Sequence, residues 1–363
     1  MKKTIVISGI NMIEGGIFTI LDNCLQKLSA YSENNDLKVV ALVRNKSKFN
    51  YPNVEYIDFS KEKRSWFSRI YNEYFYFKKL SKRIKPDVWL SLHDVSPNVV
   101  AKKRFVYCHH ATIFYKPTFK DWKFDYKIGV FSILYKYLFR INIRKNSAVF
   151  VQQNWIKKEF ESLFRINNVI VCQPEFISKT DIKEVTLDNS KIHFFYPLIP
   201  RSYKNIEIIG EALKLLDKKI KNKIKIHLTL AKGDSKYADF IIDNYNNTEL
   251  NYTGRISLEE VFGYYKSMDC LLFPSKLESS ALPLTEAKAF GKPILAANLP
   301  HAKETIGKYD KVSFFDADSP EELAKLITEY VNNTIQYQGN SYPYKKDSQL
   351  NDWNSIFDYI LKD

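Results

Sequence analysis

The sequence predicts an α/β protein of two domains, each built on a parallel sheet. Short apolar strands alternate with amphipathic helices along the chain, which is typical of parallel sheets covered by helices. The same pattern begins again at Ile192, after Pro174 and a polar stretch over residues 178–190 that we interpret as the interdomain linker. A length of 363 residues and a hydrophobic content of 45% suit two packed cores.

Strand and helix patterns alternate through the first half. Short apolar runs predict strands, and apolar positions at helical spacing predict helices. The predicted strands are 4–8, 37–43, 54–59, 87–91, one from Arg104 to the pair His109-His110, 148–152 and 169–172. The predicted helices are 17–31, 65–84, 127–143 and 155–164. These elements form the N-terminal domain, for which we predict residues 1–180.

The second half repeats this alternation and ends in a separate helix. The predicted strands are 192–196, 225–230, 250–252, 268–273, one from 292 to 296, and 311–315. The predicted helices are one ending at 216, then 258–266, 283–290, 320–332 and 348–361. We predict a C-terminal domain over 181–345 and a last helix within 346–363. The apolar face of that helix carries Leu350, Trp353, Ile356, Phe357, Ile360 and Leu361.

One stretch of the second half combines an anion site with two carboxylates. A buried strand ends at Phe273, a polar loop holds Glu278, and Pro283 begins a helix that contains Glu286 and stops before Gly291. Backbone N–H groups at a helix start suit a phosphate. Carboxylates accept hydrogen bonds from hydroxyls instead. An anion site beside two hydroxyl acceptors predicts binding of a sugar nucleotide.

The stretch from Pro274 to Ile294, Pro-Ser-x-x-Glu-x7-Glu-Ala-x-Ala-x-Gly-x-Pro-Ile, resembles the signature of retaining glycosyltransferases of the GT-B fold, family 4. The resemblance implies two Rossmann-like domains whose parallel sheets face across a cleft, with the last helix crossing back to the first domain. It implies transfer of a hexosyl group, with retention, from a GDP- or UDP-linked sugar to a saccharide acceptor. It implies no cofactor and no metal ion.

The resemblance also assigns donor-binding roles in the second domain. Glu278 is expected to contact the sugar and Glu286 the ribose, while Arg201 and Lys204 hold the diphosphate. The loop at Arg255 is expected to contact the base. The other donor-binding residues follow Glu278: Ser279, Ser280, Ala281 and Leu282. Here the chain departs from the family, which has Gly-Phe-Gly at 279–281. Arg201 fits its family position less closely than Lys204 does.

In the first domain the resemblance points to a histidine and a glycine pair. Tyr107-Cys108-His109 matches the family's Tyr-Cys-His, whose histidine faces the donor sugar, and His110 is the alternative to His109. Gly15 and Gly16 follow the first strand, where relatives carry a Gly-Gly beside the donor diphosphate and the acceptor. Glu278, His109, Arg201 and Lys204 are therefore the predicted catalytic residues.

The positive charge lies in the first half. Residues 1–180 hold 31 Lys+Arg and 15 Asp+Glu, whereas residues 181–363 hold 24 and 26. Basic residues alternate with aromatic residues over 61–83, including Lys61, Lys63, Arg64, Arg69, Lys78 and Lys79. This pattern suits an anionic membrane surface. A solvated helix with an aromatic core face explains it equally well.

Other classes of function fit the sequence less well. An epimerase or hydrolase of GT-B fold would need further carboxylates near the sugar. A nucleic-acid-binding protein is suggested by the net charge of +14, but no such motif is present. No Gly-x-Gly-x-x-Gly occurs, and the four cysteines form no metal-type pair. No signal peptide is recognised, so we expect a cytoplasmic protein, peripheral at the inner face of the membrane. The richness in Lys, Asn and Ile suggests a bacterial source. The family resemblance then implies a lipid-linked saccharide acceptor for a capsule, O-antigen or exopolysaccharide.

Overall fold

A computed structural model describes residues 2–13, 15–60, 65–172, 182–342 and 349–362. The chain divides into two compact units. The first unit comprises Met1–Ile113, Ile133–Phe176 and Lys346–Asp363, and the second comprises Phe114–Ser132 and Ile177–Lys345. Pro174 and the start of the predicted linker lie outside the described residues.

The strands follow the predicted order closely. Numbered along the chain, they are β1 (Lys3–Ser8), β2 (Leu37–Val43), β3 (Val54–Asp58), β4 (Val88–Ser91), β5 (Lys103–Cys108), β6 (Ala148–Val151), β7 (Val169–Cys172), β8 (Ile192–Tyr196), β9 (Ile224–Leu228), β10 (Leu250–Tyr252), β11 (Cys270–Phe273), β12 (Ile294–Ala297), β13 (Lys308–Tyr309), β14 (Val312–Phe315), β15 (Asn340–Ser341) and β16 (Gln349–Leu350). The apolar runs predict strands well because parallel strands are buried on both faces.

The helices are also numbered along the chain. They are α1 (Gly15–Glu33), α2 (Trp66–Tyr71), α3 (Phe77–Ile84), α4 (Phe119–Phe124), α5 (Tyr126–Arg140), α6 (Asn154–Phe164), α7 (Glu207–Leu215), α8 (Lys218–Lys221), α9 (Lys236–Asn244), α10 (Leu258–Ser267), α11 (Leu282–Ala289), α12 (Pro300–Ile306), α13 (Pro320–Val331) and α14 (Trp353–Leu361). Helices α4, α8, α9 and α12 were not predicted, because they are short and lack a long apolar period. No helix in the described part of the chain is long and apolar enough to cross a membrane.

Each unit is built on its own parallel sheet. The first sheet has the order β16-β7-β6-β5-β4-β1-β2-β3, and the second has β10-β9-β8-β11-β12-β14. Every pair within these two sheets is parallel. The carboxyl ends of all strands in a sheet therefore meet at one edge, which is where open α/β sheets bind ligands.

The last helix belongs to the first unit, as predicted. Trp353, Ile356, Phe357 and Ile360 of α14 are buried in the same apolar cluster as α1 and strands β1, β2 and β4. The ring of Phe357 meets that of Tyr31 on α1 at a centroid distance of 5.4 Å. This packing explains the apolar stripe on an otherwise polar C-terminal segment.

The predicted helix 65–84 contains one turn of π-helix. Residues Asn72–Tyr76 form this turn between α2 and α3. It buries Asn72 and Glu73, while Phe77 and Leu80 of α3 enter an apolar cluster with Trp89 of β4. A π turn inserts one residue into the helix, so polar side chains come to face the protein interior here.

The segment Phe114–Ser132 departs from the predicted domain boundary at residue 180, since it packs with the second unit. Phe124 of α4 lies against Phe240 of α9 at a centroid distance of 4.5 Å. Asp121 is fully buried and accepts a hydrogen bond from Ser202 Oγ. The sequence does not reveal this, because both contacts join residues far apart in the chain.

Candidate functional site

The loop between β11 and α11 is stabilised by a polar side chain of its own and by one from α12. Ser275 Oγ donates to Glu278 Oε1 at 2.7 Å, and Thr305 Oγ1 donates to the carbonyl of Ser280 at 3.1 Å. Helix α11 begins at Leu282 with Pro283 in its first turn. The first N–H groups of any helix lack partners within the helix. The start of α11 therefore follows directly on the loop that holds Glu278.

Ala281 occupies a backbone conformation that favours glycine. Its φ is 49° and its ψ is 48°, in the left-handed region, and its side chain is buried. The family has glycine at this position, and the observed φ supplies the physical reason for that preference. Alanine at this position therefore adopts a backbone conformation typical of glycine at the cost of local strain.

Lys204 and Glu278, which the resemblance assigns to different parts of the donor, form an ion pair. Lys204 Nζ lies 2.5 Å from Glu278 Oε1, and both side chains are largely buried. Burial lowers the pKa of Lys204, but Glu278 and Tyr203 outweigh it, so the pKa is raised overall. Lys204 is thus a permanent cation beside the start of α11.

The residue after Lys204 explains the shape of this loop. Asn205 has a φ of 55° and is buried, with its Nδ2 donating to the carbonyls of Ala317 and Pro274. Asn and Gly are the residues that tolerate this conformation best, which accounts for the Lys-Asn or Lys-Gly of the family. The turn Ser202–Lys204 that precedes it carries both predicted diphosphate cations at its ends.

Arg201 is also paired with a carboxylate. Its Nη1 donates to Asp125 Oδ2 at 2.8 Å. The Arg201 side chain remains 47% exposed, whereas that of Asp125 is 11% exposed. Sequence reasoning missed Asp125, because it lies in the segment between α4 and α5 that was assigned to the other domain.

Glu286 is held by a tyrosine of the neighbouring helix. Tyr265 on α10 donates its hydroxyl to Glu286 Oε2 at 2.7 Å, and Tyr265 itself is fully buried. Burial raises the pKa of Glu286, and the bond from Tyr265 offsets part of this effect. Tyr265 therefore orients the carboxylate that we expect to bind ribose. No signal in the sequence distinguishes Tyr265 from its neighbour Tyr264.

Arg255 lies on an exposed loop before α10. Its Nε is 3.4 Å from Asp234 Oδ1, and its side chain is 82% exposed. Gly254 has a φ of 71°, a value that glycine alone adopts at little steric cost. Ser257 caps α10, and Glu260 completes the capping box, which confirms the predicted helix start.

In the first unit, the two histidines after β5 differ in exposure. His109 is buried; its Nε2–H donates to the carbonyl of Leu92 at 2.8 Å, and its Nδ1 accepts from Gln152 Nε2 at 3.4 Å. Burial lowers the pKa of His109, although Asp94 opposes this. The side chain of His110 is 50% exposed, and its Nε2 lies 3.6 Å from Asp94 Oδ2. His110 therefore presents the more accessible imidazole.

Asp94 holds this histidine pair in place. Its Oδ1 accepts the backbone N–H groups of His109 at 2.6 Å and His110 at 3.0 Å. Its own φ is 72°, an uncommon value for a residue with a side chain. Burial would raise the pKa of Asp94, but His110, His109 and Arg69 together lower it. Asp94 is thus a buried carboxylate that stays ionised.

A second buried polar group lies at the same edge of the first sheet. His93 Nε2 is 3.2 Å from Ser8 Oγ, and His93 Nδ1 is 3.2 Å from Glu73 Oε1. Burial raises the pKa of Glu73 to about 8 and lowers that of His93 to about 3. Both residues are therefore uncharged at neutral pH. Arg69, predicted as a membrane-facing cation, instead donates to Tyr135 and to the carbonyl of His93.

The glycine pair of the first unit begins helix α1 at Gly15. A Cβ atom added to Gly16 would meet no atom within 4 Å. Packing inside the described structure therefore does not require glycine at 16. Among the described residues, no group of three or more His, Cys, Asp or Glu side chains could hold a metal ion.

A known protein family matches most of the second unit. Residues 178–346 match the family described as glycosyl transferases, group 1. This match covers less than half of the chain. The matched region contains Arg201, Lys204, Glu278 and Glu286, and it excludes the histidine pair of the first unit.

Individual relatives are distant. The serotype-specific mannosyltransferase WbdA of Escherichia coli is 26% identical over 116 residues, which cover 32% of this chain and only 14% of WbdA. The uncharacterized glycosyltransferase MJ1069 of Methanocaldococcus jannaschii is 26% identical over 277 residues, covering 72% of this chain and 69% of that protein. The alignment with WbdA thus spans a small part of that relative.

A solved structure matches the chain over its whole length. WaaG, a glycosyltransferase involved in lipopolysaccharide biosynthesis, aligns with 99% of this chain and 100% of its own, with a TM-score of 0.68 and 12% identity. At this identity the likeness concerns the fold. It confirms the predicted GT-B class with two parallel-sheet units.

Proposed function

We propose that this protein is a retaining glycosyltransferase that moves a hexosyl group from a nucleoside-diphosphate sugar to a saccharide acceptor. The observation that carries the proposal is the Lys204–Glu278 pair beside the start of α11, followed by Glu286 bound to Tyr265. A cation, a helix start and two carboxylates offer partners for a diphosphate, a sugar and a ribose. We place this activity in the synthesis of a bacterial surface polysaccharide.

The donor would bind as follows. Lys204, Arg201 and the amides at the start of α11 bind the diphosphate, which draws Lys204 and Arg201 away from their carboxylates. Glu278, once released, accepts hydroxyls of the sugar, with Ser279, Ser280 and Leu282 lining the loop. Glu286 binds the ribose, and the loop at Arg255 lies at the base. The base is that of a GDP- or UDP-linked donor.

Transfer would require electrostatic stabilisation rather than a protein nucleophile. The bond between the anomeric carbon and the diphosphate oxygen breaks, and the acceptor oxygen bonds to the same face of that carbon. The acceptor proton passes to the leaving phosphate oxygen. Lys204 and Arg201 stabilise the negative charge that develops on this group. In the first unit, His110 or His109 orients the sugar or the acceptor.

Binding of nucleoside diphosphates tests the assignment of the two carboxylates. Titration calorimetry with UDP and GDP should show that Glu286→Gln weakens binding about tenfold, since a bond between a carboxylate and a hydroxyl is lost. Glu278→Gln should not weaken nucleotide binding, because it frees Lys204, and it should reduce the sugar-dependent step. Equal nucleotide affinity in the two variants would contradict the assignment. Release of free sugar without any acceptor would indicate a hydrolase instead.

We also propose that no metal ion takes part. Arg201 and Lys204 supply the positive charge that a divalent cation supplies in other transferases. Transfer should therefore continue in EDTA at its normal rate. Complete loss of transfer in EDTA, restored by Mn²⁺ or Mg²⁺, would refute this part of the proposal.

The acceptor is proposed to be lipid-linked, with the first unit docking on an anionic membrane. Trp66, Phe67, Tyr71 and Phe75 expose their rings on α2 and the π turn, and Phe67 is 86% exposed. The cations Lys78, Lys79, Lys82 and Arg83 of α3 are exposed as well. Aromatic rings with cations suit a headgroup region. Lys61, Lys63 and Arg64 lie outside the described residues.

Vesicle sedimentation tests this docking. An anionic surface contributes about 1 kcal/mol for each nearby cation, so four cations suffice for reversible binding. The wild type should co-sediment with phosphatidylserine vesicles at low salt and less so at high salt. Replacing the four α3 cations with glutamate should reduce sedimentation and leave nucleotide affinity unchanged. A wild type that ignores these vesicles at low salt would refute docking by this surface.

A further inference from the structure

The segment Phe114–Ser132 connects two parts of the first unit but packs in the second. Asp121 anchors it: Thr118 N and Tyr115 OH donate to this buried carboxylate, and Ser202 of the predicted diphosphate loop donates to it as well. Lys120 forms an ion pair with Glu207 of α7. The segment is therefore fixed to the loop that carries Arg201 and Lys204.

Asp125 lies at the junction of α4 and α5 on this segment. Its N–H donates to the carbonyl of Asp121 at 2.8 Å, and its carbonyl accepts from Ile128 N at 2.9 Å. Its side chain is mostly hidden from solvent, while that of its partner Arg201 is half exposed. The carboxylate is thus held in place, and the guanidinium has room to turn towards another anion.

The two predicted diphosphate cations are both neutralised by carboxylates. Lys204 is bound by Glu278, for which the resemblance provides a role with the sugar. Arg201 is bound by Asp125, to which the resemblance assigns no role. A diphosphate and a carboxylate compete for the same guanidinium N–H groups, because both offer pairs of anionic oxygens that arginine binds through paired N–H donors.

We propose that Asp125 sets the affinity of this protein for nucleoside diphosphates by competing with them for Arg201. The inference rests on the proposed function and adds a residue that determines affinity. While Asp125 holds Arg201, the loop is charge-balanced without a ligand. After transfer, the carboxylate recaptures Arg201 and so promotes release of the nucleoside diphosphate product. Product release limits the turnover of many enzymes, so such a residue affects turnover directly.

A purely structural role for the same ion pair predicts the opposite sign. If Asp125 only held Arg201 in position for the ligand, removing its charge would loosen Arg201 and weaken nucleotide binding. If Asp125 competes, removing its charge frees Arg201 and strengthens binding. The direction of the change therefore separates the two roles.

The experiment measures binding of UDP and GDP to the full chain by titration calorimetry. The nucleotide that the wild type binds should bind to Asp125→Asn about fivefold more tightly, because a half-exposed ion pair contributes up to about 1 kcal/mol. Arg201→Gln should bind it more weakly. In the Arg201→Gln background, Asp125→Asn should have no effect, since the competition is gone. Stopped-flow dissociation of the nucleotide should be slower from Asp125→Asn.

Asp243→Asn is the matched control, because Asp243 forms an exposed ion pair with Lys232 in the same unit. Asp243→Asn removes the same charge as Asp125→Asn. It should leave nucleotide affinity unchanged, which would exclude a general effect of net charge. Unchanged or weaker binding by Asp125→Asn, with a wild-type melting temperature, would overturn the inference alone. A wild type that binds neither nucleotide would refute the proposed function, and the inference with it.

Discussion

The loops of the second unit and the sheet edge of the first unit carry charge in opposite ways. In the second unit, Lys204 and Arg201 each form an ion pair with a carboxylate; the Lys204 pair is largely buried, and the Arg201 side chain is half exposed. In the first unit, Glu73 and His93 are buried 3.2 Å apart, and both are shifted towards their uncharged forms. A cation in an ion pair can exchange its carboxylate for another anion, whereas buried neutral groups hold a shape. This difference agrees with the proposed binding of the diphosphate by the second unit.

The largest effect that would test this difference is expected at Lys204. Lys204→Met should lower kcat/KM about 100- to 1000-fold, because a preorganised charge on the leaving group is lost. Lys232→Met is the control, since Lys232 forms an exposed pair with Asp243 in the same unit. Steady-state kinetics at saturating acceptor would measure both. A loss below tenfold would mean that Lys204 does not contact the leaving group.

The next effect distinguishes the two histidines of the first unit. His109→Ala should lower the free energy of unfolding by about 1–3 kcal/mol, since it leaves the buried carbonyl of Leu92 without its donor. His110→Ala should leave stability near that of the wild type and lower transfer about tenfold. Urea denaturation and activity assays would be run on both. If His110→Ala is fully active, the exposed imidazole does not serve the reaction.

The buried Glu73 should make the stability of the first unit depend on pH. Its pKa is about 8 in the folded state against 4.5 in the unfolded state, so the folded state binds the extra proton between these values. The free energy of unfolding therefore falls as pH rises to 8, by at most about 1.4 kcal/mol per pH unit. Unfolded His93 still binds protons near its ordinary pKa of 6.5, which makes stability rise with pH, so Glu73 is isolated by comparing the wild type with a variant that lacks the Glu73 carboxyl.

Glu73→Gln tests this expectation, because glutamine has similar size and does not titrate. Urea denaturation at pH 6.5, 7.2 and 8.0 should show a smaller loss of stability with pH in the variant than in the wild type. Equal slopes in the two proteins would show that Glu73 is already ionised when folded. Binding of nucleotide, which we propose for the second unit, should be the same in both.

The smallest effect concerns backbone strain in the donor loop. Ala281→Gly should raise the free energy of unfolding by about 1 kcal/mol, since glycine adopts a φ of 49° without steric cost. The melting temperature should rise by about 2–4 °C. Gly291→Ala is the matched reverse change, because Gly291 has a φ of 66° and open space around it, and it should destabilise by a similar amount. If Ala281→Gly is less stable than the wild type, packing of the Ala281 methyl group contributes more to the free energy of unfolding than the backbone strain costs.

Much of the fold was determined by the sequence alone. Strands such as β2, β7, β8 and β10 begin and end at the predicted residues, because an apolar run in a parallel sheet is a local pattern. The stretch from Glu278 to Glu286 is also local: a proline, a glycine and an eight-residue spacing place both carboxylates around the start of α11. The capped helix α10 follows from Ser257 and Glu260 for the same reason.

The tertiary structure decided which groups meet. Tyr265 binds Glu286 from 21 positions away, Asp125 binds Arg201 from 76, and Lys204 binds Glu278 from 74. Sequence patterns with periods of two or 3.6 residues carry no information on such pairs, because chain topology brings them together. The same is true of the exposure of His110 and the burial of His109, which are adjacent in the chain and differ only in what the fold packs around them.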